Sequence, residues 1–184
     1  MAAMASSLPA MAADKTVLQV TGGNITITGG TLAAGRTVVV NSTGVVTITD
    51  DVQYTTGSLS AIYQVPQLLI FAQEIRIESS VKRVDAWLMA GLNGGTGIVK
   101  TCSDGSFTYG VYGGAMCTEQ LKINGPIIAR QMYLHRSHFD DASGTMPPSE
   151  ILNLRSDTYL WAYGHSQNYS QAFLTYSREV APRY

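Results

Sequence analysis

The residues closest to an acid–base site are two pairs of adjacent carboxylates, Asp50-Asp51 and Asp140-Asp141. Glycoside hydrolysis places two carboxyl groups around one bond, but neighbours along a strand point to opposite faces, so each pair reads as a turn cap. His135 and His138 would join the second pair as metal ligands. Their i, i+3 spacing suits a helix, whereas the residues around them leave a strand and enter a loop. His165 follows Gly164 without a Ser or Cys arrangement that defines a triad. Gly94-Gly95-Thr96-Gly97 lacks the Lys-Ser/Thr and the following helix of a phosphate loop, and reads as a turn. The expectation is a protein that is not an enzyme, with no catalytic residue, no metal site and no cofactor.

Cys102 and Cys117 bracket a loop rich in Gly, Ser and Tyr. Two thiols without a nearby histidine lack the remaining ligands of a zinc site, so a disulfide is favoured over free buried thiols. Such a bond implies an oxidising compartment, hence an extracellular or cell-surface location. Residues 1–13 are nearly uncharged, and Ala10-Met11-Ala12-Ala13 resembles the cleavage end of a secretory signal, although a basic start and a long apolar stretch are missing. The segment reads as a signal remnant or as an apolar assembly tail. No stretch reaches the roughly 18 apolar residues of a membrane span. A net charge of −1 and only 14% charged residues give no basic field for nucleic acid.

The elements that would position any site are short β-branched segments cut by Gly, Asn or Asp: 17–20, 25–28, 37–40, 45–49, 68–71, 75–77, 121–123 and 127–129. They are too short for helices and too closely spaced for βαβ crossovers. Runs such as Val38-Val39-Val40 and Leu68-Leu69-Ile70-Phe71-Ala72 suit strands stacked in register better than the alternation of a sandwich. The fold class is therefore all-β, a right-handed parallel β-helix or short solenoid with an aromatic-rich C-terminal region; the alternative is an antiparallel β-sandwich. About 20 residues per turn gives roughly five or six rungs. A weak internal repeat relates Gln73-Glu74-Ile75-Arg76-Ile77 to Glu119-Gln120-Leu121-Lys122-Ile123, each followed by a second apolar run at 84–90 and 127–129. The expected organisation is a tail at 1–13, a β-helix at 14–134 carrying the Cys102-Cys117 loop, and a C-terminal region at 135–184 that packs on the solenoid or on a neighbour.

Residues 84–90, 121–129, 153–162 and 178–184 resemble uncharacterised exported β-solenoid proteins of small-genome bacteria. The strand-Asn-Gly-strand block around Asn124-Gly125 is similar to the bactofilins, polymer-forming β-helices. That likeness implies end-to-end polymerisation rather than an enzyme.

Solenoid ends carry unpaired backbone groups that a second copy can satisfy, and an end-to-end contact of that kind grows into a fibre. The expected partner is the chain itself, as a homopolymer forming an extracellular filament or surface layer. The expected interface residues are Met1, Met4, Leu8, Met11, Val17, Leu18 and Val20 at one end, and Tyr159, Trp161 and Tyr163 at the other. Alternation in a strand would put those three rings on one face, for packing or for stacking on sugar rings. A carbohydrate-binding or polysaccharide-acting β-helix module, with glycans as partner, is the second functional class. Met146-Pro147-Pro148-Ser149-Glu150 breaks the chain, and a short helix is expected to start there and run towards Leu154.

Overall fold

In the computed structural model, residues 4–6, 17–55, 61, 64–91, 94–104, 117–136 and 148–169 are described. Strand β1 (Met4–Ser6) precedes five turns of a coil. The first turn is β2 (Val17–Gly22), β3 (Ile25–Ile27) and β4 (Gly30–Leu32); the second is β5 (Thr37–Ser42), β6 (Val45–Ile48) and β7 (Val52–Tyr54). The third is β8 (Gln67–Ala72), β9 (Glu74–Ile77) and β10 (Arg83–Asp85); the fourth is β11 (Trp87–Ala90), β12 (Ile98–Thr101) and β13 (Leu121–Asn124). The fifth is β14 (Ile127–Ile128), β15 (Gln131–Tyr133) and β16 (Glu150–Asn153), and helix α1 (Ser156–Tyr169) follows.

The strands form three sheets, ordered β1-β3-β6-β9-β12-β15, β2-β5-β8-β11-β14 and β4-β7-β10-β13-β16. Every pairing among the described strands is parallel. The fold is a parallel β-helix, and the antiparallel sandwich is excluded. Inward residues form continuous columns, such as Ile25, Val46, Ile75 and Val99, which face one another in register and are at most 1% exposed. β-Branched residues suit these positions because their stiff side chains stack on identical neighbours one turn above and below. Each buried side chain contributes about 2 kcal/mol of burial free energy.

Corners are made by residues that change the direction of the chain. Gly29 has φ +80°, and a Cβ there would lie 2.7 Å from the Asp51 carbonyl oxygen one turn on. Val84 to Ala90, a single run in sequence, is split at buried Ala86 into β10 of the third sheet and β11 of the second. The internal repeat is only half structural. Leu88 stacks on Ile127, but Ile75-Ile77 and Leu121-Ile123 lie in different sheets and never pair.

Two expectations for the C-terminal region are corrected. Residues Glu150–Asn153 form a strand, not the end of a short helix, because Ile151 and Leu152 continue the register of Lys122 and Ile123. Tyr159, Trp161 and Tyr163 lie on helix α1, so their alternation does not place them on a common face.

Candidate assembly surface

At the corner between the third and second sheets, a fully buried carboxylate fixes the C-terminal region to the coil. Asp85 accepts from Arg83 Nε at 2.9 Å and Nη2 at 2.8 Å, from the Tyr54 N–H at 2.8 Å, from Asn124 Nδ2 at 2.7 Å and from Arg155 Nη1 at 3.2 Å. Burial opposes ionisation, but the hydrogen bonds from Arg83, Tyr54 and Asn124 outweigh it and hold the carboxyl below the usual Asp range. Above it, Asn153 Nδ2 donates to Asn124 Oδ1 at 3.0 Å, extending a polar ladder to the last turn. Tyr54 accepts the Leu68 N–H at 2.7 Å through its hydroxyl, which burial keeps neutral well beyond the ordinary range.

Arg155 links this ladder to α1. Its guanidinium lies 5.0 Å from the centre of the Tyr54 ring and pairs with Asp157 in the first helical turn, where a carboxylate also suits the helix dipole. The helix therefore lies along the flank. Thr158, 3% exposed, and Trp161 lie on its inner side, where Trp161 meets Trp87 edge to face at 6.2 Å. The Trp87 indole N–H donates to Gln67 Oε1 at 2.6 Å. Tyr159, Leu160 and Tyr163 are 58%, 50% and 60% exposed. Spacings of three and four residues put them on one outer face.

The two ends of the coil differ. At the N-terminal end, β1 pairs with β3 in parallel, so part of the segment read as a tail covers the edge of the first sheet. Strands β2 and β4 are the outermost strands of the other two sheets. At the C-terminal end, β14, β15 and β16 are outermost, and Ile128, Tyr133, Leu134, Leu152 and Leu154 are all exposed there. Leu152 continues the inward column of Val84 and Ile123 yet is 48% exposed, because no described strand lies above it.

Of the residues expected at an interface, Met4 belongs to β1, Val17 and Leu18 to β2, and Val20 packs against the core. Tyr159 and Tyr163 face outward and Trp161 faces Trp87, whereas Met1, Leu8 and Met11 lie outside the described residues. The exposed apolar residues of the last turn were not singled out in the sequence. They follow the same strand pattern as core positions, and only the end of the coil leaves them uncovered.

The residues with chemical potential take structural positions. Asp51 Oδ1 accepts the N–H groups of Lys82 at 2.6 Å and Arg83 at 2.9 Å, capping the turn before β10. His135 packs against Tyr133 with ring centres 5.6 Å apart, while His138, Asp140 and Asp141 lie outside the described residues. No group of three or more metal-ligating side chains occurs among the described residues. Cys102 and Cys117 are joined in a disulfide with Cα atoms 5.8 Å apart, closing the loop between β12 and β13. Asp104 pins the start of that loop, accepting from Ser79 N–H and Oγ–H at 2.6 Å each. No helix among the described residues is long and apolar enough to cross a membrane.

The coil, its flank helix and its unequal ends define the class: a short parallel β-solenoid with an apolar C-terminal edge. Comparison with protein-family models, curated proteins and solved structures gave no match.

Proposed function

We propose that this protein is a non-enzymatic, self-assembling extracellular structural subunit, part of a filament or surface layer, that stacks through its solenoid ends and terminal segments. One observation carries the reading: among the side chains that are described, from Gln19 onward, the large hydrophobic ones that face solvent all lie between Ile128 and Tyr163, on the last turn and the adjoining helix. Apolar side chains beside unpaired strand edges favour adding another strand layer. Register supports a head-to-tail contact. The column that ends in Asn153 runs through Asn124 and buried Asp85 and begins at polar Thr31. A stacked copy would therefore set polar beside polar. The disulfide accords with an oxidising compartment.

Sedimentation velocity and negative-stain electron microscopy test the reading. Wild-type protein should form concentration-dependent end-to-end assemblies. The double variant Leu152→Glu, Leu154→Glu should keep the circular-dichroism spectrum and lose association by at least about tenfold, as burying two leucines would imply. Wild-type chains that stay monomeric at high concentration would overturn the proposal. Deleting residues 1–13 removes β1 and should stop growth at that end; identical polymers from the shortened chain would remove the tail's role.

Glycan binding is the second reading, supported by the exposed rings of Tyr159 and Tyr163 one helical turn apart. It predicts monomers whose affinity for polysaccharide is lost in Tyr159→Ala. The faces of Trp87 and Trp161 favour it less, since the two rings pack on each other.

A further inference from the structure

The regulation proposed here rests on the stacking reading and concerns the same end of the coil. Glu150 opens β16 and stands in register over Leu121, which is fully buried in the turn below. The last turn thus places an acid where the preceding turn places an apolar side chain. Inward charges on terminal strands are a known means of blocking edge-to-edge association.

The surroundings of this carboxyl give it two alternative hydrogen-bond patterns. Glu150 Oε1 accepts the Arg136 N–H at 3.1 Å and lies within hydrogen-bond reach of the Thr101 hydroxyl, while Oε2 is buried without a partner. Thr101 is fully buried. Its Oγ1 accepts the His135 N–H at 2.9 Å and lies 3.2 Å from the Tyr133 carbonyl oxygen. A hydroxyl has one proton to donate and two lone pairs to accept with. With Glu150 ionised, the carboxylate and the Tyr133 carbonyl compete for that single proton, and one of the two goes without it. With Glu150 protonated, its O–H donates to Thr101 Oγ1, the Thr101 O–H turns to the Tyr133 carbonyl, and the His135 N–H keeps its acceptor. The added proton lets the Glu150, Tyr133 and His135 contacts of Thr101 form together, while Oε2 stays without a partner.

We propose that Glu150 is a proton-controlled clasp: protonation ties β12, β15 and β16 into a closed last turn that receives a stacked copy, and ionisation loosens that edge. The charge of the Arg136 guanidinium favours the ionised carboxyl, although no contact within ion-pair distance joins the two groups among the described residues. Arg136 spends Nη1 on the Ser79 and Glu119 carbonyls and Nη2 on the Glu78 carbonyl, and Glu150 is first among the acids that act on its charge, ahead of Asp104, Glu119 and Asp51. Lys122, next to Leu121 on β13, faces solvent, and burial together with Lys100 lowers the affinity of His135 for a proton. Burial raises the Glu150 carboxyl above its ordinary value of 4.5, against the hydrogen bond from Thr101, the N–H groups of Arg136 and His135 and the Arg136 charge. A raised acid favours the closed form at low pH. Its contribution is complete below the ordinary value and is lost as pH rises through the raised one.

Amide hydrogen exchange, corrected for intrinsic rates, and sedimentation velocity between about pH 4 and pH 8 test this. In the wild type, protection of the His135 and Arg136 amides should rise by about tenfold towards acid, the scale of one added hydrogen bond, and association should rise with it. Glu150→Gln, whose amide copies the neutral acid, should show high protection and association at every pH. Thr101→Val, which keeps the volume and removes the relay, should flatten the response to pH. Exchange at these amides that ignores pH, or an unchanged pH response in Glu150→Gln, overturns the clasp. Normal pH-dependent exchange in chains that never associate overturns the stacking reading and the gating with it, and thereby separates that failure from failure of the clasp.

Discussion

Replacing Asp85 with Ala tests whether the buried corner cluster holds the C-terminal region on the coil. The carboxylate is fully buried, and its loss orphans the Tyr54 N–H inside the coil. An unsatisfied buried donor costs about 1–3 kcal/mol. The side chains of Arg83 and Arg155 are 34% and 27% exposed and keep part of their hydration, and Arg155 retains Asp157. The total should therefore fall at about 3 kcal/mol, the lower end for breaking a buried ion pair. Asp85→Asn keeps an acceptor for Tyr54 and should cost about half as much. Urea unfolding followed by tryptophan fluorescence reads the change, because Trp87 and Trp161 lie against each other beside the cluster. Since the folded carboxyl is held below its ordinary range, its contribution is present above that range and is lost as pH falls through the depressed value. That is opposite in sign to Glu150. An Asp85→Ala protein within about 0.5 kcal/mol of wild type, with unaltered acid sensitivity, would refute the assigned role.

Gly29→Ala should destabilise by about 3 kcal/mol in the same assay, combining the left-handed strain of φ +80° with a Cβ 2.7 Å from the Asp51 carbonyl; a neutral result would mean that the corner can relax. Replacing both Cys102 and Cys117 with Ser should cost about 3 kcal/mol through the freed loop, with proteolysis between β12 and β13 reporting the opening; equal protease resistance would count against that account. Arg155→Ala should cost only about 1 kcal/mol, because the side chain is partly hydrated, yet it should speed proteolytic cutting within α1, and unchanged cutting would show that Arg155 does not fasten the helix.

The strands foreseen at residues 17–20, 25–28, 37–40, 45–49, 68–71, 75–77, 121–123 and 127–129 are all present in parallel register. They were legible because a two-sided strand in a stacked coil demands β-branched runs, and chain reversal demands Gly, Asn or Asp. Strands β4, β7, β12 and β15 were not foreseen. Gly30–Leu32 and Gln131–Tyr133 carry too few β-branched residues, and pairing with neighbouring turns supplies the preference they lack. Residues 150–153 read locally as a helix and became a strand for the same reason, since β13 offered an open edge.

By itself the sequence determined the coil, its rise by parallel turns and the cysteine pair, because those depend on residue type and short-range spacing. Only the tertiary structure decided which apolar residues are left uncovered and which acids are buried. Leu152 and Leu121 belong to the same pattern of strand residues, yet one is exposed at the end of the coil and the other is sealed beneath the next turn. Likewise, Asp85 and Glu150 are both acids on strands and burial raises both, but the donors that neighbouring turns bring to both oxygens of Asp85 carry it below its ordinary range, whereas Glu150, with one oxygen left without a partner, stays above.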